Sequence, residues 1–351
     1  CTNANFDRSQ SHPFYQTIGA INANGEQSSY SSNGANLLLS APAGEDGIEA
    51  PGIVTSDIKG CLDGSSYYQD NIRYISGKLF DTWGLYQKGF GGIPLSIANP
   101  FNFSAIHLNN PNCDYTNNMN GTSAAAPMVS GVVALILSAN PELNWREVRD
   151  ILIRTADRND PEDAKVSLNV GETGSYEAHS GWVKNSADLW FNNRYGFGRV
   201  NAGNAVEMAK NYSNRLPEFV VNQWQVVSLT SPLIIPDNDA NGISYTFTID
   251  EAITIEAIRL KLDIANLNWS KYSPAINWHE AINTAGVDLA LELISPSGTK
   301  SILLSSQQAI LHPEKLLADY PLADATLMTN AFYNEPAKGT WTVRFIDTNG
   351  D

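Results

Sequence analysis

The stretch NGTSAAAPMVSG, residues Asn120 to Gly131, decides how the rest of this 351-residue chain is interpreted. Gly121 and Thr122 lead into Ser123, and small residues with Pro127 follow before an apolar run begins. A serine hydroxyl is a weak nucleophile at neutral pH unless a base removes its proton. The stretch predicts an activated serine at the start of a helix, with an ordinary serine N-cap as the alternative.

Length and composition indicate a globular protein of about two domains. The chain is 42% hydrophobic and 17% charged, which provides enough apolar mass for sizeable cores. Its net charge of −15 argues against a nucleic-acid partner, because phosphate binding requires a basic surface. No uninterrupted apolar run approaches the ~18 residues of a membrane span, so we expect no such span.

The region around the serine has the pattern of short strands followed by helices. Residues 14–42 predict short strands broken by Asn-Gly and Ser-rich turns, and residues 43–118 predict a long, elaborated loop. From Ser123 onward, AAAPMVSGVVALILSAN is apolar nearly all round, which predicts a buried helix with Pro127 in its first turn.

A second helix is predicted directly after this one. Asn144 is its expected N-cap, and Glu147, three residues on, completes a capping-box pattern. An amphipathic stripe follows from the spacing of its apolar residues, which are Trp145, Val148, Ile151 and Leu152. A Gly-bounded turn and a further short helix are expected in YGFGRVNAGNAVEMAKN.

Beyond about residue 212 the pattern changes to short, alternating, β-branched segments separated by turns, which predicts an all-β sandwich. The expected strands lie within residues 218–229, 242–250, 254–264, 287–298, 299–306 and 339–347. The last residues, DTNGD, are a turn signal directly after a strong strand, so we expect the sandwich to be truncated.

A base for Ser123 is not evident among the histidines. None lies in a small-residue or glycine-rich context that would present an imidazole at a helix start, so each is expected to be a surface or structural residue. They are His12, His107, His179, His279 and His312.

The residues NGTSAAAPMVSGVVALIL resemble the nucleophile segment of the subtilisin-like serine proteases, G-T-S-x-A-x-P followed by a helix. The segments NPELNWREVRDILIRTA and YGFGRVNAGNAV resemble that family's closing helices. The β region, with GVDLALELISPSGTKSILL and FYNEPAKGTWTVRFIDTNGD, resembles the P domain of kexin- and furin-type proprotein convertases, and residues 56–113 match least.

The resemblance implies the C-terminal half of an α/β subtilisin-like catalytic domain over residues 1–211, followed by an all-β, jelly-roll-like P domain over residues 212–351. It also implies a Ser-His-Asp triad in which Ser123 is the nucleophile. The catalytic Asp and His and the oxyanion-hole asparagine are then expected in a missing part N-terminal to Cys1. On this reading the chain is a secreted or periplasmic serine endopeptidase that acts on protein or peptide substrates, and the fragment alone is inactive.

Two further properties follow from the same resemblance. The N-x-D pattern of Asn5 and Asp7 resembles the segment that supplies a carboxylate to the primary specificity pocket, which implies a preference for a basic residue before the cleaved bond. An exposed loop aspartate paired with Arg8 is the alternative. Members of the family commonly bind calcium, so the resemblance implies a bound calcium ion, but the sequence assigns no ligands to it.

The three cysteines are an odd count, which indicates a partner outside the chain or a free thiol. Cys61 and Cys113 lie in Gly-, Asn- and Asp-rich loop sequence, and we predict that they bond to each other while Cys1 pairs elsewhere or stays free. Three buried reduced thiols are the alternative.

Two weaker interpretations remain open. Asp237 to Gly242 has the spacing of the first half of an EF-hand loop, but Thr248 stands where the bidentate glutamate is required, which favours an exposed turn. The rival to the enzyme is an inactive, protease-derived binding module that acts through the β-sandwich. A D-[ST]-G and an H-G-T segment upstream would decide for the enzyme.

Overall fold

The structure of the chain is a computed structural model. The described residues fall into two compact units, one formed by Cys1–Gly19, Ser32–Ser40 and Val129–Asp351 and the other by Ala20–Ser31 and Ala41–Met128. The residues that the structure describes are 3–7, 9–45, 52–60, 74–75, 78–79, 108–213, 216–221, 224, 226, 229, 231–264, 289–306 and 322–348.

Three α-helices and a 3₁₀ turn are present in these residues. The helices are α1 (Thr122–Ala139), α2 (Trp145–Thr155) and α3 (Ala202–Lys210), and the 3₁₀ turn is Ala4–Phe6. The predicted capping box at the start of α2 is confirmed. The side chain of Asn144 accepts the Glu147 N–H at 3.2 Å, and the Glu147 carboxylate accepts the Asn144 N–H at 2.9 Å.

The predicted apolar stripe of α2 is confirmed at three of its four positions. Val148, Ile151 and Leu152 are buried. Trp145 is 43% exposed, because it opens the helix and packs edge-on against Phe14 at the surface instead of entering the core.

The expectation that α1 is buried all round is wrong for the described structure. Ala125 and Ile136 are fully buried, whereas Leu135 is 53% exposed. Pro127 is the sixth residue of the helix, so it lies one turn later than predicted. In length and composition α1 is long and apolar enough to cross a membrane, although its sequence holds no uninterrupted apolar run of that length. This is weak evidence for a span, because core helices of soluble proteins have the same length and composition.

Sixteen strands are present in the described residues. They are β1 (Thr17–Ile21), β2 (Leu37–Pro42), β3 (Ile53–Ser56), β4 (Tyr74–Ile75), β5 (Lys78–Leu79), β6 (Tyr115–Met119), β7 (Val166–Val170), β8 (Gly174–His179), β9 (Val183–Lys184), β10 (Trp190–Phe191), β11 (Ile243–Ile249), β12 (Ile258–Ile264), β13 (Leu289–Ile294), β14 (Lys300–Leu304), β15 (Leu322–Thr329) and β16 (Gly339–Asp347).

The predicted sandwich is confirmed, and we call strands β11 to β16 the C-terminal sandwich. One sheet has the order β11-β16-β13-β14 and the second pairs β12 with β15, with antiparallel neighbours throughout. Leu293, Phe332 and Trp341 are fully buried in the shared core. The Trp341 indole donates to the carbonyl of Ala337 at 2.8 Å, which satisfies the polar atom that this side chain carries into the core.

Three regions differ from the expected pattern or fall outside the structure. Strand β15 was not predicted, and the described residues of the expected strand at 218–229 form no strand. Within the expected long loop, β3 and β6 pair as antiparallel strands. Residues 80–107 of that loop lie outside the described residues.

A buried carboxylate, Asp163, joins the β7–β8 hairpin to the loop after β10. It bonds His179 at 2.7 Å and accepts from the Asn192 amide at 2.7 Å and from the Arg194 guanidinium. Burial by itself raises the pKa of Asp163, but the hydrogen bonds from His179 and Asn192 outweigh it, so the pKa is lower than usual. The stabilisation from the ionised carboxylate is therefore fully present above the ordinary pKa of an aspartate and is lost as the pH falls through the lowered pKa of the folded protein.

We predict that Asp163→Asn lowers the free energy of unfolding at pH 7 by about 2 kcal/mol, because it removes the charge that its donors were placed to meet. The gap between wild type and variant starts to narrow below about pH 4, where the unfolded wild-type chain takes up a proton at Asp163 and the folded protein does not. Urea unfolding at pH 7 and pH 3 measures both values. Asp188→Asn, at an aspartate 87% exposed, is the matched control and should change nothing. A gap that stays constant with pH would contradict the assignment.

Candidate active site

Ser123 is exposed as the second residue of α1. It follows Gly121, whose φ of +105° is a conformation that residues with a side chain rarely adopt. The Ala124 N–H bonds back to the Gly121 carbonyl at 2.8 Å and closes the turn that presents the serine. The first N–H groups of a helix have no intrahelical partner, and the helix dipole favours negative charge there. The expected presentation of Ser123 at an exposed helix start is confirmed.

Pro127 also affects this helix start. Proline has no N–H, and the residue four positions before it is Ser123. The Ser123 carbonyl therefore lacks the donor that an α-helix would normally give it. The helix ladder thus lacks one bond at the serine.

Tyr30 holds the turn before Ser123, and the sequence did not single it out. Its hydroxyl oxygen accepts the Gly121 N–H at 2.8 Å. The same hydroxyl lies 2.8 Å from the carbonyl of Ala43 and 2.7 Å from that of Gly44, to which it donates. The tyrosine therefore ties the turn to the end of β2. The pattern SSYSSNG reads only as a turn, so no local signal marks this role.

Asp7 ends the 3₁₀ turn near the start of the chain, and its side chain is exposed. Its carboxylate accepts the Ser9 N–H at 2.9 Å, the Ser9 hydroxyl at 2.5 Å and the Gln10 amide at 3.1 Å. These bonds, led by the Ser9 hydroxyl, lower the pKa of Asp7. The carboxylate thus stays ionised at neutral pH. Arg8, its alternative partner, lies outside the described residues.

Two of the five histidines can be described. His179 is buried and bonded to Asp163 at 2.7 Å, which makes it a satisfied structural residue. His12 is half-buried, with its ring centroid 4.9 Å from that of Phe14. The remaining histidines fall outside the described residues and are His107, His279 and His312.

Cys113 is fully buried and has a left-handed backbone, with φ at +57°. Cys1 and Cys61 lie outside the described residues, so the pairing of Cys61 with Cys113 stays a prediction.

No group of three or more His, Cys, Asp or Glu side chains suited to a metal occurs within the described part of the chain. In the EF-hand-like turn, the Asp239 carboxylate accepts the backbone N–H of Asn241 at 2.9 Å and its side-chain amide at 3.0 Å. Both bonds fall on Oδ1 and close the turn, which fits the exposed turn that the sequence favours. The turn assigns no calcium site.

The comparisons with known proteins agree with this architecture. The family model described as "Subtilase family" matches residues 8–198, which is more than half of the chain. The chain belongs to the subtilase family. A second model, described as "Proprotein convertase P-domain", matches residues 281–351, which contain four of the six strands of the C-terminal sandwich, and we call the sandwich the P domain.

Curated relatives and a solved structure extend the similarity. The Aeromonas extracellular serine protease of Aeromonas sobria is 33% identical over 98% of this chain and 50% of its own length. The dibasic-processing endoprotease of Schizosaccharomyces pombe is 30% identical over 70% of the chain and 30% of its own length. The crystal structure of the Aeromonas sobria serine protease with its chaperone has a TM-score of 0.74 at 31% identity, covering 99% of this chain and 52% of that one. The chain spans about half the length of the protease of Aeromonas sobria.

We predict that Tyr30→Phe destabilises this subtilase by about 1–2 kcal/mol, because the Gly121 N–H and two carbonyls lose a partner in one substitution. Urea unfolding measures the change. Tyr15→Phe removes the same hydroxyl from a side chain that is 60% exposed and serves as the control. Equal stability of the two variants would show that the Tyr30 hydroxyl does not hold the turn.

Proposed function

We propose that the chain is the nucleophile-bearing part of a secreted serine endopeptidase of the kexin type. The observation that carries the proposal is Ser123, exposed at the start of α1 after a left-handed glycine, within G-T-S-x-A-x-P. Membership of the subtilase family supports the same reaction. An ordinary N-cap requires only the serine, so that alternative does not explain the surrounding G-T-S-x-A-x-P pattern.

In the proposed reaction, the Ser123 hydroxyl loses its proton to a histidine and its oxygen attacks the carbonyl carbon of the substrate. The histidine then returns the proton to the leaving amine, and water hydrolyses the acyl-enzyme. The main-chain N–H at Ser123, at the positive end of α1, is suited to stabilise the developing oxyanion. We assign the histidine, its aspartate and the oxyanion asparagine to a part of the protease outside these 351 residues.

We propose Asp7 as the selector of a basic residue before the cleaved bond. Its carboxylate is ionised, and a relative carries the name dibasic-processing endoprotease. When a substrate side chain covers this carboxylate, Lys or Arg replaces the lost water with an ion pair, whereas a neutral side chain does not. The preference would then come from the cost of burying that charge beside a neutral side chain.

Other properties of the proposed enzyme rest on its relatives. Secretion is supported by the relative named an extracellular protease, and a chaperone partner by the solved complex of the Aeromonas sobria enzyme. Calcium is proposed only as a structural ion, with no ligands among the described residues. A bridge between Cys61 and Cys113 is proposed to close the loop that contains the least matched segment.

We predict that the 351-residue chain alone hydrolyses no peptide amide or ester, because we assign the base to a part of the protease outside it. In the full-length protease, Ser123→Ala should lower kcat by at least about 10⁴-fold and abolish labelling by a fluorophosphonate. Ser138→Ala, at another exposed serine of α1, is the control and should leave both unchanged. Turnover by the isolated chain that Ser123→Ala abolishes would refute the assignment of the base. A full-length protein that is not labelled would favour the binding module.

Asp7→Asn should reduce the preference for arginine over leucine before the cleaved bond. Losing one partner of a desolvated charge pair costs about 2–5 kcal/mol, or tens to thousands in kcat/KM. The measurement is kcat/KM on matched Arg and Leu peptides, with Asp250→Asn, at an exposed aspartate that follows β11, as control. An Arg/Leu ratio that barely changes would exclude Asp7 as the selector.

A further inference from the structure

The turn that carries Asp7 is bonded to strands of the P domain. The Asn3 side-chain amide donates to the carbonyl of Leu303 in β14 at 2.9 Å. The Asn5 side-chain oxygen accepts the N–H of Met328 in β15 at 2.7 Å. Since β14 and β15 belong to different sheets of the sandwich, the turn is held by both of them.

These bonds are buried and leave the turn little freedom. Asn3 is 4% exposed and Asn5 is 2% exposed. Asn3 also acts as the N-cap of the 3₁₀ turn, because its side chain accepts the Asn5 N–H at 3.0 Å. Phe6, the residue directly before Asp7, packs against the hydrophobic core of the P domain. Three of the four residues before Asp7 are therefore positioned by, or together with, the P domain.

The β15 bond is independent of the sheet ladder. Met328 is paired with Arg259 of β12, and among the described strands β15 pairs only with β12. The Met328 N–H is directed to Asn5, so the turn acts as a substitute partner at the open side of this strand. A buried N–H without such a partner is costly, which makes the bond a strong positional constraint.

We propose that Asn3 and Asn5 are positioning residues for substrate specificity, through which the P domain sets the place of the Asp7 carboxylate. The proposal rests on Asp7 as the selector in the proposed function. The Asp7 carboxylate bonds within its own loop, to Ser9 and Gln10. After Asp7 the loop is held by the Asn36 amide, which donates to the Gln10 carbonyl at 3.1 Å, and before Asp7 it is held by Asn3 and Asn5. Charge recognition falls off steeply with misplacement, and a shift of about 1 Å can cost on the order of 10²-fold in rate.

The chain contains a matched control for these contacts. The Asn193 amide donates to the carbonyl of Ile302 at 2.7 Å, the residue next to Leu303 on β14. Asn193 lies in the loop after β10, which does not carry Asp7. The same substitution at Asn3 and at Asn193 therefore removes the same kind of bond to the same strand. Only the first acts on the proposed selector.

The experiment compares Asn3→Ser, Asn5→Ala and Asn193→Ser in the full-length protease. Serine at position 3 keeps a hydroxyl to cap the turn but cannot supply the amide donor. We expect the Arg/Leu ratio of kcat/KM to fall about 5- to 20-fold in Asn3→Ser and Asn5→Ala, mainly through a higher KM for the Arg substrate. The inhibition constant of benzamidine, a probe for the carboxylate that needs no turnover, should rise in parallel. Asn193→Ser should change neither the Arg/Leu ratio nor the inhibition constant of benzamidine, although it should lower Tm by about as much as Asn3→Ser does.

The outcomes separate this proposal from the function on which it rests. A full loss of selectivity in Asp7→Asn, with unchanged ratios in folded Asn3→Ser and Asn5→Ala, would overturn the positioning role alone. An unchanged ratio in Asp7→Asn would overturn both. An equal drop in Asn193→Ser would show that loss of P-domain contacts acts through stability and would also overturn the proposal. Should Asn5→Ala fail to fold, Asn3→Ser decides the question.

Discussion

The described structure depends heavily on one buried carboxylate, Asp150 of α2. Its oxygens accept hydrogen bonds from the hydroxyls of Tyr212 and Tyr333, each at 2.9 Å, and from Arg154 at 2.8 Å. A buried charge is tolerated only when such partners surround it. Burial, together with the Asp150 charge, raises the pKa of Tyr333 and of Tyr212, so both phenols remain donors. Because Tyr333 lies in the P domain and α2 in the subtilase region, this carboxylate links the two regions.

Other contacts at the boundary between the subtilase region and the P domain are hydrogen bonds from side-chain amides to main-chain carbonyls. The Asn185 amide donates to the carbonyls of Ala331 and Tyr333, and the Asn330 amide donates to the carbonyl of Asn36. An apolar contact tolerates sliding, whereas a bond between a side-chain amide and a particular carbonyl fixes the register. The boundary is therefore suited to hold short segments in place, and the turn before Asp7 is one of them.

Local patterns predicted the parts of the fold that local chemistry determines. The capping box of Asn144 and Glu147, the exposed serine at a helix start and five of the six expected sandwich strands all lie where the sequence placed them. Strand β15, LADATLMT, was missed because its alternation is weak and its strand identity depends on pairing with β12. The exposure of Trp145 could not be predicted from a stripe, since it is set by rings from distant parts of the chain.

In the candidate site, too, the sequence shows the residues with a local motif but not the distant contacts that position them. Ser123 is recognisable because its motif and the helix start are contiguous in sequence, but Tyr30 precedes Gly121 by 91 residues, and its role exists only after folding. Asp7 is recognisable by a short motif, yet the groups that place its turn are more than 290 residues away on β14 and β15. The serine thus relies on a turn closed by nearby backbone and one phenol, while the proposed selector relies on the P domain. Damage to the P domain should then weaken discrimination between substrates before it weakens the presentation of the nucleophile.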